Sequence, residues 1–210
     1  MPLRPARSRQ LSLFGVEARP PNPLDLEGLL AGAGQVSRMG GTARVSIVVG
    51  DAWRAAVLRA ECTLRGLVSS SEPASGPAGE EGHLAFRTAY STALAPLAAR
   101  WLRGTTKRPP DGLALDGRRL RLWVAAAGSF DGVQAFVLRL GVAQLAGESD
   151  DEPVWGAVGG ALASAGLPAA LLGPGAGGPA YRIVGRRRLA RLAELIGEPP
   201  HLAPPDAWPR

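Results

Sequence analysis

The sequence predicts an α+β fold made of two pseudo-symmetric αββαββα repeats, and three observations predict it. First, a short apolar helix with small residues runs into a glycine twice, about ninety residues apart. One copy reads Leu26-Glu27-Gly28-Leu29-Leu30-Ala31-Gly32-Ala33-Gly34, the other Leu120-Arg121-Leu122-Trp123-Val124-Ala125-Ala126-Ala127-Gly128. Second, each copy leads a similar train of segments, in which the period-two alternation of half-buried strands gives way to helical spacing. Third, a basic, proline-containing joint separates the trains, from Gly104 to Gly112 with Lys107-Arg108-Pro109-Pro110. The likeness of the halves is one of architecture more than of letters.

Residues 1–24 are rich in Pro and Arg and read as an extended tail. The first helix is expected from Asp25 to about Ala33. Gln35 to Arg38 and Thr42 to Val49 then alternate around Met39-Gly40-Gly41, a hairpin signal. Asp51 is placed to cap a helix through Leu64, with Trp53, Val57, Ala60 and Leu64 on one face and Gly66 as its stop. Leu67 to Ser70 starts a third strand, Ser71 to Gly82 is a low-complexity loop, and His83 to Tyr90 is a fourth strand. Leu94, Leu97, Ala98, Trp101 and Leu102 define the closing helix.

The second train runs through a helix from Asp116 to Ala127, a strand at Val133 to Leu140 and a polar loop at Gly147 to Glu152. Pro153 takes the first turn of a helix over Val154 to Ala165. Ala169 to Leu172 and Ala180 to Val184 read as strands around a Gly/Pro hairpin, and Arg186 to Ile196 is the last helix. The organisation expected is therefore a tail (1–24), a first repeat (25–103), a linker (104–115), a second repeat (116–198) and a disordered proline-rich tail (199–210).

Composition narrows the class. At 210 residues the chain is long enough for a real core, and 46% hydrophobic residues are ordinary for a globular protein. No apolar run is long enough to span a bilayer, so no membrane partner is expected. One cysteine, Cys62, excludes an internal disulfide and a cysteine metal cage, and fits a reducing cytoplasm. The net charge is +6, the sequence pI is near 10.8, and Lys107 is the only lysine. Arginine suits phosphates and base edges because its planar fork donates two hydrogen bonds at once. A GC-rich genome enriches Arg, Ala, Gly and Pro together, so pI alone does not assign a nucleic-acid partner. His83 and His201 are isolated, which supports neither a metal cluster nor a Ser-His-Asp site.

The order of elements, with a helix opening each half, resembles the single-chain, two-repeat form of the LAGLIDADG homing-endonuclease fold. Leu26-x-Gly28-Leu29-Leu30 with Gly34 matches the family motif; in the second copy Leu122 stands where the family has glycine. The resemblance covers about residues 24–198. It implies two opening helices side by side at a pseudo-two-fold axis in a monomer, with Gly28, Gly32 and Ala125 to Ala127 letting the backbones approach. It also implies a saddle of antiparallel sheets laid on double-stranded DNA. The family cuts DNA with one metal-binding acid per repeat, just before the last glycine. Those positions are Ala33 and Ala127, and alanine neither binds a metal nor polarises water. The expectation is thus a protein that is not an enzyme, with no catalytic residue, metal or cofactor, similar to the loss of acids in the WhiA family of bacterial regulators. Asp25, Glu27 and Asp131 lie nearby but not at matching positions; Asp25 reads as a helix cap and Asp131 as a turn residue.

Alternation tests whether the free sheet faces are basic. With Ala43, Val45, Ile47 and Val49 inward, Arg44 points outward; with Leu84, Phe86 and Tyr90 inward, so does Arg87. Arg139 stands opposite Phe136, Leu138 and Leu140, and Arg182 opposite Tyr181 and Ile183. One arginine thus falls on the polar face of each of four strands. Arg38 at the hairpin tip and Lys107 and Arg108 at the joint are expected phosphate contacts.

Gln10-Leu11-Ser12-Leu13-Phe14 matches the pentapeptide by which bacterial polymerases and repair proteins bind the β sliding clamp. In that mode Leu13 and Phe14 fill an apolar pocket while Gln10 fixes register. The alternative is that Leu11, Leu13 and Phe14 dock on the protein's own core. Together these features predict a non-catalytic, clamp-tethered DNA-binding protein of replication or repair, located at the nucleoid. The other readings are a WhiA-like transcription regulator, an endonuclease using displaced acids, and an adaptor that binds only protein.

Overall fold

The computed structural model describes residues 15–74, 82–141, 155–176 and 178–210. The expectations for Gln10 to Phe14, for Gly147 to Glu152, for Pro153 and for most of the Ser71–Gly82 loop fall outside these described residues. Among the described residues no helix is long and apolar enough to cross a membrane.

The chain enters the first repeat on a 3-10 turn, Pro23–Leu26, closed by a capping box in which Asn22 and Asp25 bond each other's backbone turn. Helix α1 is short, Glu27–Ala31, because Gly32 ends it. Strands β1 (Gln35–Met39) and β2 (Thr42–Val49) form the expected hairpin, with Gly40 at φ 58° supplying the turn. Then follow α2 (Ala52–Thr63), β3 (Ser69–Pro73), β4 (Leu84–Thr88) and α3 (Ala95–Trp101). Asp51 does not cap α2 by its side chain; its carboxylate takes Arg54 Nε at 3.0 Å instead.

The joint is not a bare linker. It holds a two-residue hairpin, β5 (Leu102–Arg103) with β6 (Thr106–Lys107). Helix α4 (Gly117–Ala127) opens the second repeat with Asp116 Oδ1 accepting from Arg119 N at 3.0 Å. It is followed by β7 (Gly128–Phe130), β8 (Ala135–Arg139), α5 (Gly156–Ser164), β9 (Ala170–Leu172), β10 (Ala180–Val184) and α6 (Arg186–Ile196). The two four-stranded sheets are entirely antiparallel and share one topology, β1-β2-β4-β3 and β7-β8-β10-β9.

The opening helices touch, and glycine is the reason. A Cβ on Gly28 would meet the carbonyl oxygen of Arg119, and one on Gly32 would meet the Trp123 indole. At these two glycines the close partners are the first turn of α4 and Trp123. The inner faces of both sheets supply the rest of the core, with Val45, Ile47 and Phe86 from one and Phe136, Leu138 and Ile183 from the other. Trp101 and Trp123 are fully buried among them. Each such side chain is worth roughly 1.5–3 kcal/mol against exposure.

The chain ends depart from expectation. Residues 15–24 are packed rather than a free tail: Val16 N donates to Leu195 O at 2.8 Å, and Arg19 reaches Asp116 at 2.6 Å and Asp25 at 2.5 Å. Residues 199–210 are likewise not disordered. Trp208 is buried, its Nε1 donates to Gly197 O at 3.0 Å, and the Arg121 guanidinium lies 5.1 Å from its ring. An indole needs both apolar cover and one acceptor, and the C-terminal end of α6 gives both.

Candidate nucleic-acid interface

The register of the first sheet sets one polar row across all four strands: Gln35, Ser46, Arg87 and Ser70. Ser37 and Arg44 form the neighbouring row. All of these stand on the face opposite the buried Val45, Ile47 and Phe86. Arg44 is fixed by its Nε donating to Ser37 Oγ at 3.2 Å and by stacking 4.9 Å from the Tyr90 ring. Arg87 pairs with Glu72 at 2.5 Å. The corresponding row of the second sheet is Ser129, Val137, Arg182 and Ala170. Arg182 therefore occupies the place in its sheet that Arg87 occupies in the first, and it pairs with Asp131 at 2.6 Å. Arg139 is exposed two residues beyond Val137 on β8.

The four strand arginines are thus on the outward parity, but the two faces differ in character. In the second sheet Ala135, Val137 and Ala180 share the outward parity and are buried. The apolar run of β8 gives no polar partner row to match the serines of the first sheet. Arg38 pairs in register with Ala43, which puts it on the helix-side parity and away from Arg44 and Arg87. Arg108 is exposed at the joint.

Lys107 is a correction. It was expected to meet phosphate, yet it is buried and donates to the carbonyls of Leu30 at 2.8 Å, Gly32 at 2.9 Å and Gly34 at 2.6 Å. Burial pushes its ammonium down to about 7. Arg54 does the same service for α4, donating to Ala125 O at 3.0 Å and Gly128 O at 2.7 Å. Each opening helix therefore ends on a cation that satisfies its orphan carbonyls and its negative dipole end. Sequence reasoning missed Arg54, which was only one polar position on an amphipathic helix.

Between these helix ends lies a pocket of about 420 Å³ lined by Ala33, Asp51, Arg54, His83, Ala127 and Arg139, among others. It occupies the place where the motif acids of the resemblance would stand. Its one carboxylate is Asp51, already held by Arg54. Divalent cations such as Mg²⁺ or Mn²⁺ want several hard oxygen ligands, so one paired carboxylate beside two guanidinium groups does not fit them. Among the described residues no three His, Cys, Asp or Glu side chains are grouped to share a metal ion. Asp25 and Glu27 are committed elsewhere. Asp25 pairs with Arg65 at 2.9 Å, and Glu27 with Arg100 at 3.0 Å and Arg119 at 2.9 Å, all at the opposite end of α1.

No family model and no curated protein matches the sequence. Solved structures do. The homing endonuclease I-WcaI bound to its DNA recognition sequence superposes with a TM-score of 0.52 at 10% identity, covering 85% of this chain and 82% of that one. The fold is that of a LAGLIDADG homing endonuclease. I-DmoI in complex with DNA and Mn is also similar, at 12% identity over 84% of this chain and 96% of that one, with a TM-score of 0.42. The match corrects one expectation. That the chain is not an enzyme was inferred from Ala33 and Ala127, but the fold it shares is one that a homing endonuclease carries, which overturns that inference.

Proposed function

We propose that this protein binds double-stranded DNA through the outward faces of its two sheets and is recruited to the bacterial β sliding clamp by Gln10 to Phe14, acting in replication or repair. The observation that carries the DNA reading is the matched placement of Arg87 and Arg182 at equivalent register in two sheets of a homing-endonuclease fold. Arg44 and the serine row extend the first face. The ion pairs to Glu72 and Asp131 do not block this use. Both partners in each are substantially exposed, and such pairs contribute about 0–1 kcal/mol, so exchanging carboxylate for phosphate costs little. Charge-assisted bonds from guanidinium to phosphate then position the duplex.

Replacing Arg44, Arg87, Arg139 and Arg182 together by alanine is expected to weaken binding to duplex DNA by at least tenfold at moderate salt and to flatten the plot of log affinity against log salt. Fluorescence anisotropy over a salt series measures both. Unchanged affinity and slope would remove the sheet faces from the interface. For the second half of the reading, L13A/F14A is expected to abolish capture by purified clamp while leaving the circular dichroism spectrum unchanged. Clamp binding and DNA binding on one chain reinforce each other by raising effective concentration, so each need only be weak.

A further inference from the structure

The central strand pairs of the two sheets can be matched residue by residue. Ser46 of β2 pairs with Arg87 of β4, and Val137 of β8 pairs with Arg182 of β10. Counting two residues either way along the outward parity sets Arg44 against Ala135 and Val48 against Arg139. Of these four positions only one, that of Arg87 and Arg182, carries the same residue in both sheets. Each of these two arginines is paired with an exposed carboxylate, Glu72 or Asp131. Along β2 the outward side chains are a guanidinium, a hydroxyl and, at Val48, an isopropyl group left 51% exposed. Along β8 Ala135 and Val137 are buried and offer neither donor nor acceptor, and only Arg139 is exposed.

Phosphates are alike at every base pair, so the matched Arg87 and Arg182 can position a duplex without reading it. Arg44 stands in a different setting. Neutral groups hold it, Ser37 Oγ and the Tyr90 ring, and these aim the guanidinium without cancelling its charge. A guanidinium so held loses little freedom in forming the two parallel hydrogen bonds by which arginine recognises O6 and N7 of guanine. The exposed Val48 offers the apolar contact that distinguishes a thymine methyl group. Strands lie about 4.8 Å apart, and the major groove, about 12 Å wide, admits a two-stranded ribbon such as β2 with β4. We propose that base reading is confined to the first repeat: β2 reads one half of the DNA site through Arg44 and Val48, while the second sheet holds the other half by its phosphates alone. Four residues of strand cover about 13 Å and base pairs stack about 3.4 Å apart, so the guanine and the thymine stand about four steps from each other. This inference rests on the DNA reading above and names what that surface recognises.

Selection of targets for the full chain from randomised duplex DNA, followed by fluorescence anisotropy on the selected site, tests it. Wild type is expected to return base preference in one half of the site and none in the other. R44A is expected to lose about tenfold discrimination at one guanine of that half. R44K keeps the charge but not the planar fork, so it is expected to lose the same preference while the salt slope stays; it also serves if R44A does not fold. R182A is expected to weaken binding to all sequences alike and to lower the salt slope by about one, with the selected site unchanged. Preference in both halves, or preference lost in R182A, overturns the confinement. Preference retained in both Arg44 variants overturns the role of Arg44. Salt-dependent binding without preference anywhere overturns base reading and leaves the DNA reading intact, whereas no binding to duplex by wild type at low salt overturns the DNA reading and this inference with it.

Discussion

Lys107 and Arg54 show how a single cation is assigned by its surroundings rather than by its charge. As the only lysine in a basic joint, Lys107 has the sequence signature of a phosphate contact. Its position two residues after a tight β5–β6 turn folds it under α1 instead, where three carbonyls accept from it. Nothing in a linear sequence marks which of several basic residues will meet the end of a helix ninety residues' worth of chain away from its mate. K107M is expected to destabilise the fold by about 2–3 kcal/mol, since buried carbonyls lose a charged donor and methionine offers none. The pH dependence gives a second readout. The folded value is depressed to about 7, below the unfolded value near 10.4, so the unfolded state binds the extra proton between them. Wild-type stability is therefore expected to rise as pH rises from about 7 towards 10, and K107M is expected to lose that rise. Urea titrations at a series of pH values check both; a parallel rise in the variant would mean another group carries it.

At the scale of elements, what was legible followed from periodicity. The β1–β2 hairpin, α2, α4 and α6 fall within a residue or two of expectation because alternation or helical spacing runs long enough to be read in each. Strand β7 was missed. It is three residues long, begins at the motif glycine itself and pairs Phe130 with Phe136, too short to show a period. The outward arginines were legible from the same alternation, and their ion pairs were not, since Glu72 and Asp131 sit on other segments whose register only the folded sheet fixes. The inequality of the two faces had a readable cause in retrospect. Ala135-Phe136-Val137-Leu138 is apolar at every position, which is the pattern of a strand buried on both sides, whereas Thr42 to Val49 alternates. The helix–helix contact was anticipated from Gly28 and Gly32, but the closest neighbours of these glycines, the Arg119 backbone and the Trp123 indole, were not.

The two repeats are joined into one molecule by charge as well as by glycine contact. Glu61 on α2 accepts from Arg65 Nη1 at 2.7 Å and from Arg121 Nε at 2.8 Å, and Arg121 in turn donates to Ile196 O at 2.8 Å and Glu198 O at 2.7 Å. Arg65 continues to Asp25, and Arg19 joins Asp25 to Asp116. One connected network therefore spans the amino-terminal segment, α2, α4 and the end of α6. Desolvation alone would raise the Glu61 carboxyl, but hydrogen bonds and charge from Arg121 and Arg65 outweigh it and hold the group below the ordinary carboxylate range. A carboxyl depressed in the folded state stabilises above its unfolded value, about 4.3, and loses that contribution as pH falls through the folded value. The fold is accordingly expected to weaken with acid below about pH 4.5. E61Q keeps the shape and removes the charge, leaving Arg65 and Arg121 partly uncompensated, which should cost about 3 kcal/mol at neutral pH. Its stability should then change less than that of wild type between pH 5 and 3. Because the network bridges the repeats, the loss should appear as a lower midpoint for the whole molecule, seen equally by tryptophan fluorescence and by far-ultraviolet circular dichroism. An acid dependence identical in the two proteins would place the coupling of the repeats in the α1–α4 packing alone.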